Sequence, residues 1–473
     1  MTAVPLALAE LGRTHLVGIG GAGVSVVAQL LAARGVPVQG SDAHASDVVD
    51  ALRAEGLTVW VGHDAAHVAD ADTLVVSTAV RETNPELAAA RERGLRVLHR
   101  SEALALLMDG TRAVAVAGAH GKTTTSAMIA VVLGEAGRDP SFAIGGSVRT
   151  HAGAVPGGHL GAGDVLVAEA DESDGSFLNY RPEIAVVTNV EPDHLDHYGT
   201  REAFEAAFVE FAARIRPEGL LVACGDDPGA AALVRAHRAT GGTALTYGGP
   251  GSDVVVRDHV ADGDGGRFTL DVPAATGLVP ADRTLDVVLE VPGLHNALDA
   301  AAALVTAMRL GVDADTAVAG VGRFLGTGRR FEERGTAGGV RVVDDYAHHP
   351  TEVAALLRAA RPAAAGGRVL VLFQPHLFSR TRTFAREFAD ALALADEVVV
   401  TDVYAAREDD DPTVTGATIT DLMGGRGRHV AGRVAAAHAV AALARPGDLV
   451  LTVGAGDVTQ LAPVLLESLV ARS

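Results

Sequence analysis

Short valine-rich apolar runs recur along the chain, and each is followed by a turn rich in glycine or carboxylates and then by a helical stretch. Residues 15–19, 36–39, 59–61 and 74–77 predict strands, with a helix over 24–34. Residues 113–117, 165–168 and 184–188 predict a second set, with a helix over 123–133. Residues 254–290 read as short strands and turns, an antiparallel flap or edge, before a helix that runs to residue 308. Residues 340–343 and 369–373 predict a third set, with a helix over 351–361. Strand–helix alternation of this kind predicts an α/β fold with mainly parallel sheets. At about 150 residues per domain the length suggests three domains, drawn at 1–109, 110–325 and 326–473.

The second set opens on the most informative stretch. A buried strand runs into Gly118-Ala119-His120-Gly121, then Lys122-Thr123-Thr124 starts a helix. Strand, glycine turn and helix N-terminus form a phosphate cradle, because glycines let the backbone close and the helix start carries a positive dipole end. Lys122 is expected to reach the β- and γ-phosphates, and the Thr123 hydroxyl to hold Mg²⁺. Only two residues separate the glycines, against four in the common pattern. Lys122 is the only lysine in the chain; every other cation counted with it is arginine. A surface cation here would have been arginine, so this lysine answers a need for a compact ammonium.

Composition narrows the function classes. A formal charge of −20 argues against nucleic acid or an anionic membrane as partner, yet leaves room for a local basic pocket. One cysteine, Cys224, cannot pair within the chain, which points to a reducing cytoplasm. The first residues lack a basic segment with a long apolar core, so no signal peptide is expected, and no apolar run reaches membrane-span length.

The first set carries Gly18-Ile19-Gly20-Gly21-Ala22-Gly23 after a strand, with Asp42 about 20 positions on, the arrangement of dinucleotide-binding folds. A dinucleotide and another diphosphate such as a nucleotide sugar both fit, as does simple helix–strand packing. A diphosphate ligand is favoured, because a separate ATP loop exists at Lys122. His63 stands just past a strand, either against a ligand or on a surface loop, and Ser77 stands at a strand end, where α/β ligands bind.

In the second set two strands end in Glu169-Ala170-Asp171-Glu172-Ser173-Asp174 and Asn189-Val190-Glu191-Pro192-Asp193-His194. Glu169 and His194 directly follow buried strands and are candidate Mg²⁺ ligands with Thr123. Solvated acidic loops are the alternative, more credible for Asp174 and Glu191. His295-Asn296 opens a helix, where it either caps it or offers an amide to an adenine edge. In the third set Asp344-Asp345-Tyr346-Ala347-His348-His349-Pro350 ends a strand. The adjacent histidines find no third metal ligand at suitable spacing, which leaves capping and packing. Arg380, after Gln374-Pro375-His376-Leu377-Phe378-Ser379, suits a bidentate grip on a carboxylate or an exposed ion pair at a helix start.

Together the lysine loop, 169–174, 189–194 and Gly293-Leu294-His295-Asn296 resemble, in the same order, the motifs of the Mur ligases. The resemblance covers nearly the whole chain, and the N-terminal glycines with Gly40-Ser41-Asp42 resemble the alanine-adding branch. It implies three α/β domains: an N-terminal Rossmann-like sugar-nucleotide domain, a central P-loop ATPase domain with a mainly parallel sheet, and a C-terminal Rossmann-like domain. It implies ATP and Mg²⁺, with Mn²⁺ an alternative, and UDP-N-acetylmuramate and L-alanine as substrates in peptidoglycan precursor synthesis. The expected assembly is a monomer or weak homodimer.

By the same resemblance Gly118 to Thr124, Asn296, Arg330 and Asp345 bind ATP, with Asp345 at the ribose. Gly20, Gly21, Ala22, Gly23, Asp42 and Tyr346 are expected to bind substrate, and His63, Ser77 and His376, each at or just past a strand end, are added to them as candidates. Lys122, Glu169, His194, His348 and Arg380 carry the chemistry. Three departures stand out: Leu377 where many relatives place arginine, Asp299 for a second asparagine, and Phe208 near the place of a carbamylated lysine in ligases that add later residues. The rival readings are a ligase adding a preformed peptide to the same sugar nucleotide, a GTP switch and a nicotinamide-dependent dehydrogenase. A GTP switch needs a second lysine for guanine, and none exists.

Overall fold

The computed structural model describes residues 6–193, 195–406 and 408–471. His194, expected as a metal ligand, lies outside them. The first sheet has the order β3-β2-β1-β4-β5, all parallel, from Thr14–Val17 (β1), Val38–Asp42 (β2), Thr58–Val61 (β3), Thr73–Val76 (β4) and Arg96–His99 (β5). The central sheet takes Arg112–Ala117 (β6), Ser141–Ala143 (β7), Gly158–His159 (β10), Val165–Glu169 (β11), Ile184–Val187 (β12), Leu220–Cys224 (β13), Ala244–Gly248 (β14), Val254–Asp262 (β15), Gly265–Val272 (β16) and Arg283–Leu289 (β17). Its order is β10-β7-β11-β6-β12-β13-β14-β15-β16-β17. It is parallel from β7 to β15, with β10 antiparallel at one edge and the β15-β16-β17 meander at the other. A small antiparallel sheet joins Val148–Thr150 (β8), Gly153–Val155 (β9) and Phe324–Thr327 (β18). The third domain's sheet, Glu332–Ala337 (β19), Val340–Asp345 (β20), Val369–Phe373 (β21), Glu397–Val400 (β22), Gly427–His429 (β23) and Leu449–Val453 (β24), runs β19-β20-β24-β21-β22-β23.

Strand β6 is buried from Ala113 to Ala117, since a parallel strand is covered by helices on both faces. The helices Lys122–Glu135 and Leu294–Arg309 pack together on one of those faces, and their alanines permit close approach. Both faces of the central sheet feed large apolar clusters, and the third domain has two of its own.

Several element bounds move. Strand β1 stops at Val17, because Gly18 adopts φ +73 and starts the turn. Strand β2 extends to Asp42, so Gly40 and Ser41 lie inside it. Residues 324–327 pair with β8 at residues 148–150. No helix among the described residues is long and apolar enough to cross a membrane.

Candidate active site

The turn after β6 is held in the shape its glycines permit. Gly118 has φ +135, and a Cβ there would overlap the Thr188 hydroxyl. Gly121 has φ +83 at the helix N-cap, where a Cβ would press on Asp299. Asn189 clamps the loop from β12: its Oδ1 accepts from His120 N–H at 3.0 Å, and its amide donates to His120 O at 3.0 Å. Lys122 Nζ folds back to Gly118 O at 2.6 Å, Ala119 O at 3.3 Å and the Glu172 carboxylate at 2.8 Å. Burial opposes its charge, but Glu172, Asp171 and Glu169 outweigh burial and hold the ammonium above the usual lysine range. Next to it the Thr123 hydroxyl meets both Glu169 carboxylate oxygens at 3.1 Å, and Gly145 N–H donates to Glu169 at 2.9 Å.

Two cavities flank this loop. One, of 430 Å³, lies between the central and third domains and is lined by His120, Gly121, Thr124, Asn296, Arg330 and Asp345 among others. These expected ATP residues come from three distant stretches of chain. Asn296 donates its amide to Pro292 O at 2.7 Å and caps no helix end, since the N-cap residue is Gly293. Asp299 accepts from Thr125 Oγ1 at 2.9 Å, and burial pushes its carboxyl up to about 7. Asp345 accepts from Phe331 N and Ala347 N, both at 2.8 Å, and burial lifts it to about 6. Arg330 lies over the Tyr346 ring at 5.2 Å.

The second cavity, of 730 Å³, opens at the carboxyl ends of the first sheet and reaches the central domain. Gly21, Gly23, Asp42, His63 and Ser77 line it, and Glu169 and Asp171 close its far side. Gly20 N–H donates to Asp42 at 2.9 Å, and Ala22 begins the helix Ala22–Ala33. Glu169 therefore faces this cavity while touching Thr123 at the start of the lysine helix.

Tyr346 and His376 do not line the glycine-loop cavity; they stand on the third domain with His348, whose ring is 5.2 Å from Tyr346 and 5.9 Å from His376. Burial drives His348 down to about 3, so it is a neutral imidazole at pH 7. Arg380 is not exposed: Nη2 pairs with Asp193 at 2.9 and 3.1 Å, with both side chains about 95% buried. That nitrogen alone already donates to a carboxylate of the central domain. Phe208 is fully buried against Phe177 and Phe204, so the place of a carbamylated lysine is apolar core. Leu377 is buried with φ +68 and tied by its N–H to Tyr404 O at 2.9 Å.

The structure adds residues that the sequence reading passed over. Glu86 is fully buried and receives Ser41 Oγ at 2.5 Å, with His67 Nδ1 at 2.7 Å and His63 Nδ1 at 3.1 Å. Its only local signal, Asn84-Pro85-Glu86, reads as a capped helix start with an acid in the first turn. Arg100 pairs with Asp171 at 2.8 Å at the edge of the second cavity. Glu352 accepts the N–H groups of His348 and His349 at 2.8 and 3.1 Å and stands 3.3 Å from His120 Nδ1. Glu191 faces the other nitrogen, Nε2, also at 3.3 Å. Burial opposes a charge on His120, yet Glu352 and Glu191 raise it to about 9.

A glycine loop at a helix start in the middle domain, faced across one cavity by the third domain and joined through Glu169 to a second cavity on the glycine-rich first domain, is the arrangement of an ATP-using ligase of the Mur type, and the chain belongs to the Mur ligase family. It matches the Mur ligase family, catalytic domain, over residues 13–112, the Mur ligase middle domain over 116–307, and the Mur ligase, glutamate ligase domain over 329–456. The UDP-N-acetylmuramate–L-alanine ligase of Kineococcus radiotolerans is 59% identical over 472 residues, covering 98% of each chain. That of Paenarthrobacter aurescens is 54% identical, covering 99% of this chain and 100% of its own. The crystal structure of UDP-N-acetylmuramate-alanine ligase from Thermotoga maritima superposes with TM-score 0.79 at 29% identity, covering 98% of this chain and 100% of that one. A murein peptide ligase from Psychrobacter arcticus superposes with TM-score 0.70 at 25% identity, covering 97% and 99%.

Proposed function

We propose that the chain joins L-alanine to the lactyl carboxylate of UDP-N-acetylmuramate, with ATP converted to ADP and phosphate through an acyl phosphate. One observation carries this reading: Thr123 and Glu169 touch where the lysine loop meets the sugar-nucleotide cavity. A phosphoryl group on the loop and a carboxylate in the cavity would meet there. The hydroxyl and carboxylate are hard oxygen donors in mutual contact, which suits Mg²⁺. Bound there, Mg²⁺ supplies neutralisation of the phosphate charge.

The chain's own residues do the rest by position and charge. Lys122 is charged and buried; it leaves Gly118 O to meet the phosphates. Arg330 faces the same cavity and adds a second positive charge, with Asn296 and Asp345 beside it for the nucleoside. The glycine turn, Asp42, His63 and Ser77 receive the sugar nucleotide. Tyr346, His348, His376 and Arg380 form the amino-acid side. A lactyl carboxylate oxygen bonds to the γ-phosphorus as its bond to the β-phosphate oxygen breaks. The amine of L-alanine then attacks the acyl carbon, loses a proton, and phosphate leaves. Closure of the third domain over the loop excludes water from the acyl phosphate.

The relatives that share 59% and 54% identity carry L-alanine in their names, which favours the amino acid over a preformed peptide as acceptor. The test is phosphate release from ATP with UDP-N-acetylmuramate and either L-alanine or a tripeptide. Release and ligation are expected with L-alanine and not with UDP-N-acetylglucosamine, which lacks the lactyl carboxylate. A preference for the tripeptide would overturn the assignment.

A further inference from the structure

The paired histidines of the third domain have no third ligand in their own stretch of sequence, but the fold supplies two from the central domain. His120 arrives on the lysine loop, Glu191 on the loop after β12, and His349 just before the helix Pro350–Ala363. One ligand atom of each lies within 4.8 Å of the other two. His120 Nε2 is 3.3 Å and His349 Nδ1 4.0 Å from the Glu191 carboxylate. The two rings stand 4.7 Å apart, tilted by 32°. His349 is 3% exposed and neither of its ring nitrogens makes a hydrogen bond, while each ring nitrogen of His120 faces a carboxylate at 3.3 Å. Two buried imidazole nitrogens of His349 without hydrogen bonds are unusual, because leaving such groups unmade is costly.

The surrounding groups are arranged as metal-site supports are. Glu352 stands 3.3 Å from His120 Nδ1. Without a metal both His120 nitrogens face carboxylates and the ring is charged; a metal between Nε2 and Glu191 would displace the Nε2 proton, while the Nδ1 proton stays toward Glu352. Thr351 Oγ1 donates to Glu191 at 2.6 Å and orients it. Backbone N–H groups of His348 and His349 hold Glu352 in turn.

We propose that His120, Glu191 and His349 form a binding site for a divalent transition metal of the Zn²⁺ kind, tying the lysine loop to the third domain. Two imidazoles and a carboxylate are the donor set of zinc sites with an open fourth position. Thr123 and Glu169 offer oxygen alone and suit Mg²⁺, so the two sites separate by chemistry. Ligand bonds of about 2.0–2.2 Å place donor atoms about 3.4 Å apart in a tetrahedral site. His120 and Glu191 already meet that spacing, and His349 has to approach by about 1 Å. Both His120 and Glu191 line the ATP cavity, so the open position faces it. Because the ligands come from two domains, the metal holds those domains together.

The site is tested on the full-length protein without ATP, by Zn²⁺ titration against a chromophoric chelator and by Co²⁺ titration followed in the visible. One equivalent is expected, with Co²⁺ bands of imidazole–carboxylate ligation. His349→Gln and Glu191→Gln should each lose affinity by at least about tenfold, while Glu169→Gln keeps it. Thr351→Val, which removes only the hydroxyl that orients Glu191, should weaken binding with circular dichroism unchanged. Absence of a stoichiometric Zn²⁺ site, binding unaltered in His349→Gln, or loss in Glu169→Gln would each overturn the proposal. None of these outcomes depends on which amino acid the enzyme accepts.

Discussion

Arg380 of the third domain grips Asp193 of the central domain through two hydrogen bonds at 2.9 and 3.1 Å, across 187 positions of sequence. An arginine fork suits any carboxylate. Here Nη2 alone meets both oxygens of an internal one, Asp193. The pair is also a tie between two domains.

The first prediction follows from that tie. Removing one member of a buried ion pair leaves the other charge stranded, typically at about 3–5 kcal/mol. Arg380→Ala and Asp193→Ala should each destabilise the junction, and the double variant should lose less than the sum. A coupling of about 0.5–3 kcal/mol is expected in denaturant unfolding. Additive losses would show that the two side chains act independently. Asp193→Asn should also change the L-alanine saturation curve more than the ATP curve.

Lys122 supplies a second prediction. It is the sole ε-amine, so an amine-acylating reagent has only Lys122 and the N-terminus as targets. The structure tempers its reactivity, since Glu172 keeps the ammonium charged against the opposing effect of burial, and burial shields it from reagent. Acylation should therefore be slow, should be slowed further by MgATP, and should abolish phosphoryl transfer when complete. Lys122→Arg should cut turnover by about 10²-fold or more, because a planar guanidinium does not fit a cradle shaped around an ammonium. Peptide mass spectrometry reads which amine was modified. Full activity in protein acylated at Lys122 would remove the lysine from the mechanism.

The contact between Thr123 and Glu169 gives the third. Thr123→Val and Glu169→Gln should each raise the Mg²⁺ concentration needed for half-maximal rate by about tenfold or more, with smaller effects on sugar-nucleotide binding. Metal-dependence curves at saturating ATP are the measurement. Curves that coincide with the parent's would place Mg²⁺ elsewhere.

Asp299 makes the fourth a matter of pH. Burial raises its carboxyl from 3.8 to about 7 in the folded, ligand-free protein, against the lowering effect of the Thr125 hydrogen bond. Between those values the folded state holds a proton that the unfolded state has released, so this group's contribution to stability falls as pH rises through the window and stays lost above it. Asp299→Asn, which keeps a carbonyl oxygen for Thr125, removes that fall. Thermal unfolding should show the variant gaining on the parent at pH 8 and losing the advantage near pH 4. Parallel curves across the range would mean that Asp299 is ionised in the fold.

Much of this was local and therefore legible in the chain. Valine runs, glycine turns and a lone lysine are read from neighbours in sequence, and they mark the lysine loop, the glycine turn at Gly20 to Gly23, Asp42 and Glu169. Strand bounds slipped where a single backbone angle decided them, as at Gly18. Sequence spacing likewise left His348 and His349 without a third ligand, and left Arg380 without its partner.

Those partners are matters of tertiary structure. A parallel sheet brings the ends of β6, β11 and β12 to one edge, and so Thr123 to Glu169 and His120 to Asn189. The third domain then lays His349, Glu352 and Arg380 onto His120, Glu191 and Asp193. Short-range patterning determines which segments become strands, turns and helices, because those choices depend on a residue's own geometry and its nearest neighbours. Which charges end up facing each other depends on how whole domains pack, and the sequence by itself carries no local signal of that.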